Sequence, residues 1–561
     1  MTGHPALDPD DGTTVDIIAV GSGAAGLMAA LATSVRGGSA LVVEATDQLG
    51  GTTSWSGANL WVPFNRFARA AGHQDDRATA EAYVRRCLGD RADDPRWAVF
   101  FDRINDAIGF LETHTRLRFY LTNYPDSFAE WDEGSSARHL GTDLLEKPRL
   151  GPLAGRIRHM PGPAVHLRYM DFQTMRVPFL LTRLGKLKLG LKVAWRKFRG
   201  RYGMGYAFVL GLVEACLARG VRFALNTRVK GLVRDGPRIV GVVCEREGRQ
   251  ITYRARRGVV LATGGFDHDK ALMAEFLPGP IEETMTPPVN RGDHVRLARE
   301  VGAQLGAMDE AWFLPGKVLP GAKPYEGTLI GTWLTGDRIW PHLIWVNSRG
   351  ERFVNESAQN SALAFYARDP ATGEQPNLRS WTVFDAQYRA RYPVLMTLQP
   401  GQPDPDWLIR ADTLESLAAR LGVPSERLVA TVARFNGFAR AGKDLDFGRG
   451  EGAYDQYFGD HSRPHHTLGT IEKAPFYAWP NAPSSVGTKG GLMTTPDGQA
   501  ISVDGSVIPG LYASGNCSAT FNGPITVAAA MTIPPALVMS MAAVEKAFRD
   551  NAPDDSAPDT E

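Results

Sequence analysis

The chain has little of what marks a secreted, metal-binding or nucleic-acid-binding protein. Cysteine is scarce: Cys87, Cys216, Cys244 and Cys517 are the only four in 561 residues, and none forms a CxxC pair or a metal-type spacing with histidine. That excludes a disulfide framework or zinc knuckle and fits reduced thiols in a cytoplasm. An excess of one charge is also missing, with 62 basic residues against 61 acidic ones, so no global field draws nucleic acid to the surface. The opening MTGHPALDPDDGTTVD has no basic region followed by an apolar core, which argues against a signal peptide and for a cytoplasmic protein. Uninterrupted apolar runs are rare too. Residues 505–544 carry no charged side chain, but Gly510, Gly515, Gly523, Pro509, Pro524, Pro534 and Pro535 break them, and a membrane span must satisfy its own backbone in regular helix. No internal repeat is present, and the length calls for more than one folding unit.

What is there begins with TVDIIAVGSGAAGLMAALATSVRGGSALVVEA, which reads as strand, glycine turn, helix, strand. Gly21, Gly23 and Gly26 give GxGxxG, with Ser22, Ala24 and Ala25 between them and Glu44 closing the second strand. The glycines allow a tight turn, approach of a pyrophosphate and close helix packing, while Glu44 accepts from ribose hydroxyls. The continuation ATDQLGGTTSWSG extends the cradle: Gly50 and Gly51 permit close approach, Thr52, Thr53 and Ser56 supply hydroxyls for a polyol phosphate, and Gly57 closes the expected contact. Ala262, Thr263 and Gly264 form a second expected contact and Gly515 with Asn516 a third, which favours FAD over a nicotinamide cofactor. Val229 and Ile533 complete the expected set. With no histidine between His4 and His73, the FAD is expected to be non-covalent. No metal site is expected.

The expected fold is α/β, a discontinuous Rossmann-like FAD-binding domain with an inserted α+β catalytic cap. Residues 1–284 and 465–548 form the FAD-binding domain, 285–464 the cap, and 549–561 a disordered acidic tail. Residues 120–163 are irregular with weak periodicity, residues 205–218 are helical, a small sheet follows, and a separate buried strand covers 259–262. The last helix is expected to begin at Pro534 or Pro535.

Taken in order, GSGAAGLMAAL, GGTTSWSGANLWVP, LATGGFD, VNSRGERFVNESA, KAPFYA and GTKGGLMT resemble the fumarate reductase and 3-ketosteroid dehydrogenase flavoprotein superfamily, most nearly its 3-ketosteroid Δ1-dehydrogenases. The resemblance covers most of the chain. It implies α,β-dehydrogenation of a 3-ketosteroid or related cyclic ketone: one tyrosine and a backbone N–H polarise the ketone, a second tyrosine removes an α-proton, and hydride passes to flavin N5. A hydrophobic substrate and a quinone-like electron acceptor are implied as partners.

The transfer of residues stops at the chemistry. Where the superfamily has a ketone-binding tyrosine this chain has Thr526, with Ala530 at a glycine position; where N-E-x-A-P-Y ends in tyrosine it has Asn360; and of Y-x-D-Y it keeps Tyr124 and puts Ser127 at the second tyrosine. Tyr124, Asn360, Tyr477 and Thr526 are the expected catalytic residues, and Tyr366 and His465 with His466 are further candidates by type. Trp312, Phe313, Trp333 and Trp340 offer apolar lining in the cap, where each also suits ordinary core. Two other functions stay open: reduction of an activated C=C bond, and flavin binding without dehydrogenation. Finally, 182–201 holds eight basic residues and no acidic one, interleaved with leucines, Trp195 and Phe198. It reads as an interfacial helix for peripheral membrane contact or as a solvated helix face.

Overall fold

A computed structural model describes residues 7–173, 183–333, 336–395 and 397–550. Its centre is a parallel sheet around Thr14–Val20 (β1), whose apolar residues from Ile17 onward are buried, as expected for a strand covered on both faces. β1 pairs in parallel with Ala40–Val43 (β2), and β2 with Arg222–Ala224 (β3). On the other side β1 pairs with Arg249–Leu261 (β6), and β6 with Val507–Ala513 (β8), which carries the antiparallel edge strand Gln499–Ile501 (β7). The direction of winding therefore reverses at β1, and the crevice at its carboxyl end is the topological switch point where such sheets bind ligands.

β6 is one continuous strand of 13 residues rather than a hairpin strand followed by a separate one at 259–262. Its first half pairs antiparallel with Arg238–Arg246 (β5), itself paired with Arg228–Asp235 (β4), and its second half enters the parallel sheet. Helix α1 (Ala24–Val35) covers one face of the sheet, joined by α2 (Met204–Ala218) and α3 (Ile533–Arg549): Leu27, Met28 and Leu31 share a core with Phe208, Leu212, Leu537, Val538 and Val544. On the opposite face Val15, Ile18 and Val20 pack with Leu297 and Ala298 of helix Asp293–Val301.

The cap is built on two antiparallel sheets. One runs in the order Leu343–Asn347, Ser380–Asp385, Phe476–Pro480, Ile409–Ala411; the other contains Thr332–Trp333, Ala311–Lys317 and Pro483–Thr488. These pairings depart from the expected boundaries at 285 and 464. Helix Asp293–Val301 belongs to the core of the parallel sheet, whereas the strands between 476 and 488 belong to the cap. We therefore place the crossings near Ala311 and Thr488. The 120–163 segment is less irregular than its composition suggests, since Phe119–Thr122 and His139–Thr142 form a three-stranded antiparallel sheet with Asn59–Trp61. The last helix starts at Ile533, with proline in its first turn. Most of the expected acidic tail, 551–561, lies outside the described residues, as does Thr182 of the basic segment. Among the described residues no helix is long and apolar enough to cross a membrane.

Candidate active site

The cofactor half of the site is built at the carboxyl end of β1. Gly21 sits at φ +107, and a Cβ there would lie 2.3 Å from the carbonyl oxygen of Ala262; one on Gly26 would lie 1.9 Å from the oxygen of Gly21. The turn and the first turn of α1 thus close against each other and against the end of β6, which brings the 262–264 segment beside the glycine turn. Gly23 differs: its nearest neighbour for an added Cβ is the Thr53 hydroxyl at 3.5 Å, so its bareness leaves room rather than filling a contact.

Polar groups in this half are linked to one another. Ser22 donates through its amide (3.2 Å) and hydroxyl (2.6 Å) to Glu44, and the Gly50 amide donates to the Ser22 hydroxyl at 3.0 Å. Thr53 accepts from the amide of Ala24 at 3.0 Å, and Thr52 accepts from Asn290, itself bonded to Asp267. The short helix Gly51–Trp55 that carries these threonines rests on α2, where a Cβ on Gly205 would come within 2.1 Å of the Thr53 oxygen. Ser56 accepts from the Gly205 amide through its backbone oxygen, which ties Gly57 and the end of the cradle to the same helix. The buried hydroxyl of Thr263 has no partner among the described residues.

The expected positions Gly515 and Asn516 follow β8, held by Ser514, whose hydroxyl donates to Ala536 of α3 and accepts from Ser540. Ile533 opens that helix and is buried. Val229 stands one strand further out on β4, its side chain in the core and its carbonyl accepting from Arg296. A glycine turn at a helix N-terminus, an acceptor carboxylate just past the second strand, a hydroxyl-lined extension and the buried Thr263 hydroxyl fit an FAD.

The second half is the loop from Gly523 to Met531, which has no regular secondary structure and so must satisfy its backbone with side chains. Lys489 donates to the carbonyls of Gly523 (2.8 Å), Pro524 (3.4 Å) and Ile525 (3.3 Å). Asn360 grips the next residue on both sides: its Nδ2 donates to the Thr526 carbonyl at 3.1 Å and its Oδ1 accepts the Thr526 amide at 2.8 Å. Ser127 adds a 2.7 Å bond to the same carbonyl, and Tyr83 donates to that of Val527 at 2.6 Å. Ala530 accepts from the Trp61 amide.

Ser127, Asn360 and Thr526, the three positions at which the resemblance implies tyrosine, are thus one hydrogen-bonded cluster drawn from three separate parts of the chain. Among the described residues only Thr526 of the three keeps a hydroxyl outside this network.

Tyr124 lies beside the cluster, in a nest of Tyr169, Tyr454, Tyr457, Phe458 and His139 rings against which Ala529 packs. Burial pushes its phenol well above the usual range, which keeps it protonated. Two residues on, burial raises Asp126 to about 6, while Arg138 and a 2.8 Å bond from the Trp61 indole oppose the shift. Tyr477 is elsewhere: it stacks on Phe384 in the cap sheet and donates to Asp404 at 3.1 Å. Tyr366 donates to the Pro280 carbonyl, and Phe313 and Trp340 sit in cap cores. His465 is exposed on a surface turn and His466 half-buried against His461. The side chain of Trp333 lies outside the described residues.

Trp312 is the cap aromatic that reaches the site. Its indole nitrogen stands 3.4 Å from Asn516 Oδ1, and the Lys489 ammonium lies 4.2 Å from its ring centroid. Trp312, Lys489, Asn516 and Thr532 line a common cleft. Lys489 is 1% exposed, and burial drives its ammonium down to about 7, with Glu310 opposing. Sequence reasoning used GTKGG only as a family signature. Its lysine carries no periodicity or spacing signal of its own.

The family model described as an FAD binding domain matches residues 16–526. The chain belongs to the FAD-dependent 3-ketosteroid dehydrogenase and fumarate reductase flavoprotein superfamily. It is an FAD-dependent oxidoreductase of that superfamily, and FAD is its cofactor. A 3-oxosteroid 1-dehydrogenase of Mycobacterium tuberculosis is 36% identical over 555 residues, covering 93% of this chain and 96% of the relative. A 4-oxocyclohexanecarboxylate 2-dehydrogenase of Sinomonas cyclohexanicum is 36% identical as well, with 90% of this chain and 88% of the relative covered. Among solved structures, the 3-ketosteroid Δ1-dehydrogenase of Sterolibacterium denitrificans in complex with 1,4-androstadiene-3,17-dione superposes with a TM-score of 0.82 at 29% identity, covering 96% of this chain and 100% of that one.

Proposed function

We propose that the protein removes two hydrogens from adjacent carbons beside the ketone of a hydrophobic cyclic substrate, a 3-ketosteroid or a smaller ring ketone. The observation that carries this reading is the hydrogen-bonded cluster of Ser127, Asn360 and Thr526, which grips the charge-free stretch 505–544 that also holds Asn516. The named relatives act on ring ketones, and a hydroxyl with no other partner is the group a ring ketone needs as donor. In this reading Thr526 donates to the carbonyl, Asn360 and Ser127 hold Thr526 in place, and Tyr124 walls the pocket. FAD, when bound, supplies the hydride acceptor; we take it to be non-covalent. A quinone-like compound is proposed to take the electrons onward.

The cluster contains no ionisable group, which favours a second reading, a flavin-binding homologue that no longer dehydrogenates. Anaerobic mixing of the holoenzyme with 3-ketosteroids and with 4-oxocyclohexanecarboxylate separates the two. Bleaching of the flavin band with formation of an enone supports dehydrogenation. No bleaching with any ring ketone, alongside oxidation of dithionite-reduced enzyme by the corresponding enone, would instead give a reductase; silence in both assays would give the homologue.

The same reading includes contact with an anionic membrane surface. Helix Arg183–Phe198 exposes Leu184, Leu187, Leu191, Trp195 and Phe198, the last at 88%. At 3.6 residues per turn these five fall within an arc of about 80°. Lys188 and Lys192 border that stripe, and Lys186 opens onto a cleft whose other charged lining residues are Arg391, Arg463 and Lys473. An apolar stripe edged by cations matches anionic lipid, and water-poor ketones and quinones concentrate there.

A further inference from the structure

The Lys489 site stands between the two halves just described. Its side chain enters from the last cap strand, passes over Trp312, and ends against three consecutive carbonyls, Gly523, Pro524 and Ile525, immediately before Thr526. On the cofactor side Trp312 reaches Asn516. A buried ammonium is costly unless its protons are met, and here three protons meet three acceptors. Nothing else among the described residues holds those three carbonyls from outside the loop, so the hold on this stretch depends on one side chain.

We infer that Lys489 is a positioning residue for this active site: through its ammonium it fixes the loop that carries Thr526 in register with the cofactor floor at Asn516. The inference rests on reading Thr526 as the substrate-facing residue. The geometry also makes the hold dependent on protonation. An ammonium gives one proton to each carbonyl; a neutral amine has two protons to give and turns a lone pair toward the third oxygen. The charged groups facing the site are few. Glu310, whose backbone oxygen accepts the Lys489 amide at 2.9 Å, favours the ammonium, and Arg91, bonded to Glu310 at 2.8 Å, opposes it. Burial outweighs both and lowers the ammonium to about 7, so against a local release in which the amine stays buried the loop is fully held on the acid side of neutrality and held less on the alkaline side.

The test is amide hydrogen exchange on the holoenzyme, read as protection factors for the peptide spanning 523–531 from pH 6 to 9. Protection in the wild type is expected to fall about tenfold across neutrality, the effect of one charge-assisted bond. Lys489→Met should show the low value at every pH, and Lys489→Arg, always charged, should stay protected at pH 9. A second readout is the tryptophan emission of the wild type minus that of Trp312→Phe, which should titrate with one proton near pH 7 and lose the titration in Lys489→Met. Protection in this peptide that is flat with pH in the wild type overturns the inference, as does a Lys489→Met protein protected as well as the parent. If Lys489→Met fails to fold, the wild-type pH series and Lys489→Arg still decide. Neither readout uses a substrate, so a failed turnover assay beside an intact titration would overturn the dehydrogenase reading and leave the positioning role standing.

Discussion

The amide of Asn360 closes a two-bond ring with the backbone of Thr526, donating to its carbonyl at 3.1 Å and accepting its N–H at 2.8 Å. One residue comes from the cap side of the chain and the other from the floor. Replacing Asn360 with alanine leaves a buried backbone amide unpaired, at a cost of about 1–3 kcal/mol. Replacing it with aspartate keeps the acceptor but sets a carboxylate against the Thr526 carbonyl. Asn360→Asp should therefore melt well below the wild type at pH 8 and recover at pH 5 as the carboxyl gains a donor proton, whereas Asn360→Ala should be depressed equally at both. Thermal melts at the two pH values check this.

Restoring tyrosine at Asn360 and Thr526 together tests whether these positions are the superfamily's reacting pair. The double variant is expected to raise kcat/KM on a 3-ketosteroid by about 10²-fold or more, the usual contribution of one positioned acid or base, with either single change giving less. No gain in the double variant, with FAD bound as in the parent, would mean that the two positions are not the superfamily's reacting pair in this chain.

Cofactor retention should depend on the cradle in two distinguishable ways. Glu44→Gln keeps the shape and removes a charge, so FAD affinity should fall about 10- to 100-fold by fluorescence titration with little change in melting of the apoprotein. Gly26→Ala places a methyl 1.9 Å from the Gly21 oxygen, which the backbone can relieve only by opening the turn; we expect loss of bound FAD together with a destabilisation of about 3 kcal/mol or more.

The basic helix gives a prediction independent of catalysis. The protein should sediment with vesicles containing phosphatidylglycerol and not with pure phosphatidylcholine, and binding should weaken with salt. Leu191→Glu with Phe198→Glu should abolish sedimentation while activity in detergent is unchanged. Sedimentation unaffected by the double change would assign the helix to ordinary solvated surface.

Global stability should respond to Lys489 in the direction opposite to the local hold on its loop. The folded protein holds the lysine near 7 and the unfolded chain near its ordinary 10.5, so between these values the unfolded chain binds more protons. The contribution of Lys489 to stability is therefore complete above about pH 10.5 and is lost as pH falls to 7. Urea denaturation at pH 7.5 and 9.5 should show a rise with pH in the wild type that Lys489→Met lacks.

The parts of this site that a reader of the sequence finds are those whose requirement is local. Gly21 and Gly26 announce the turn because only glycine fits there, and Glu44 follows at the end of a short apolar strand. Asn360 and Thr526 were legible as departures from a motif, though only the fold shows them touching. What the sequence hides is non-local. Phe476–Pro480 looks like the return to the FAD-binding part because a polar, proline-bearing linker precedes it, yet its partners are strands roughly 70 and 95 residues earlier, a pairing that hydrophobic pattern alone does not encode. Tyr477 was a candidate by residue type and is taken up by that pairing. Lys489 was hidden for the same reason, since its neighbours Trp312 and Gly523 lie far away along the chain.

The joint between cap and floor is short. Thr488 ends the strand Pro483–Thr488, its hydroxyl is held by the amide of Phe266, and Lys489 is the very next residue. Cap strand and loop contact are thus neighbours in the chain: whatever displaces the strand end displaces the lysine that touches Gly523, Pro524 and Ile525.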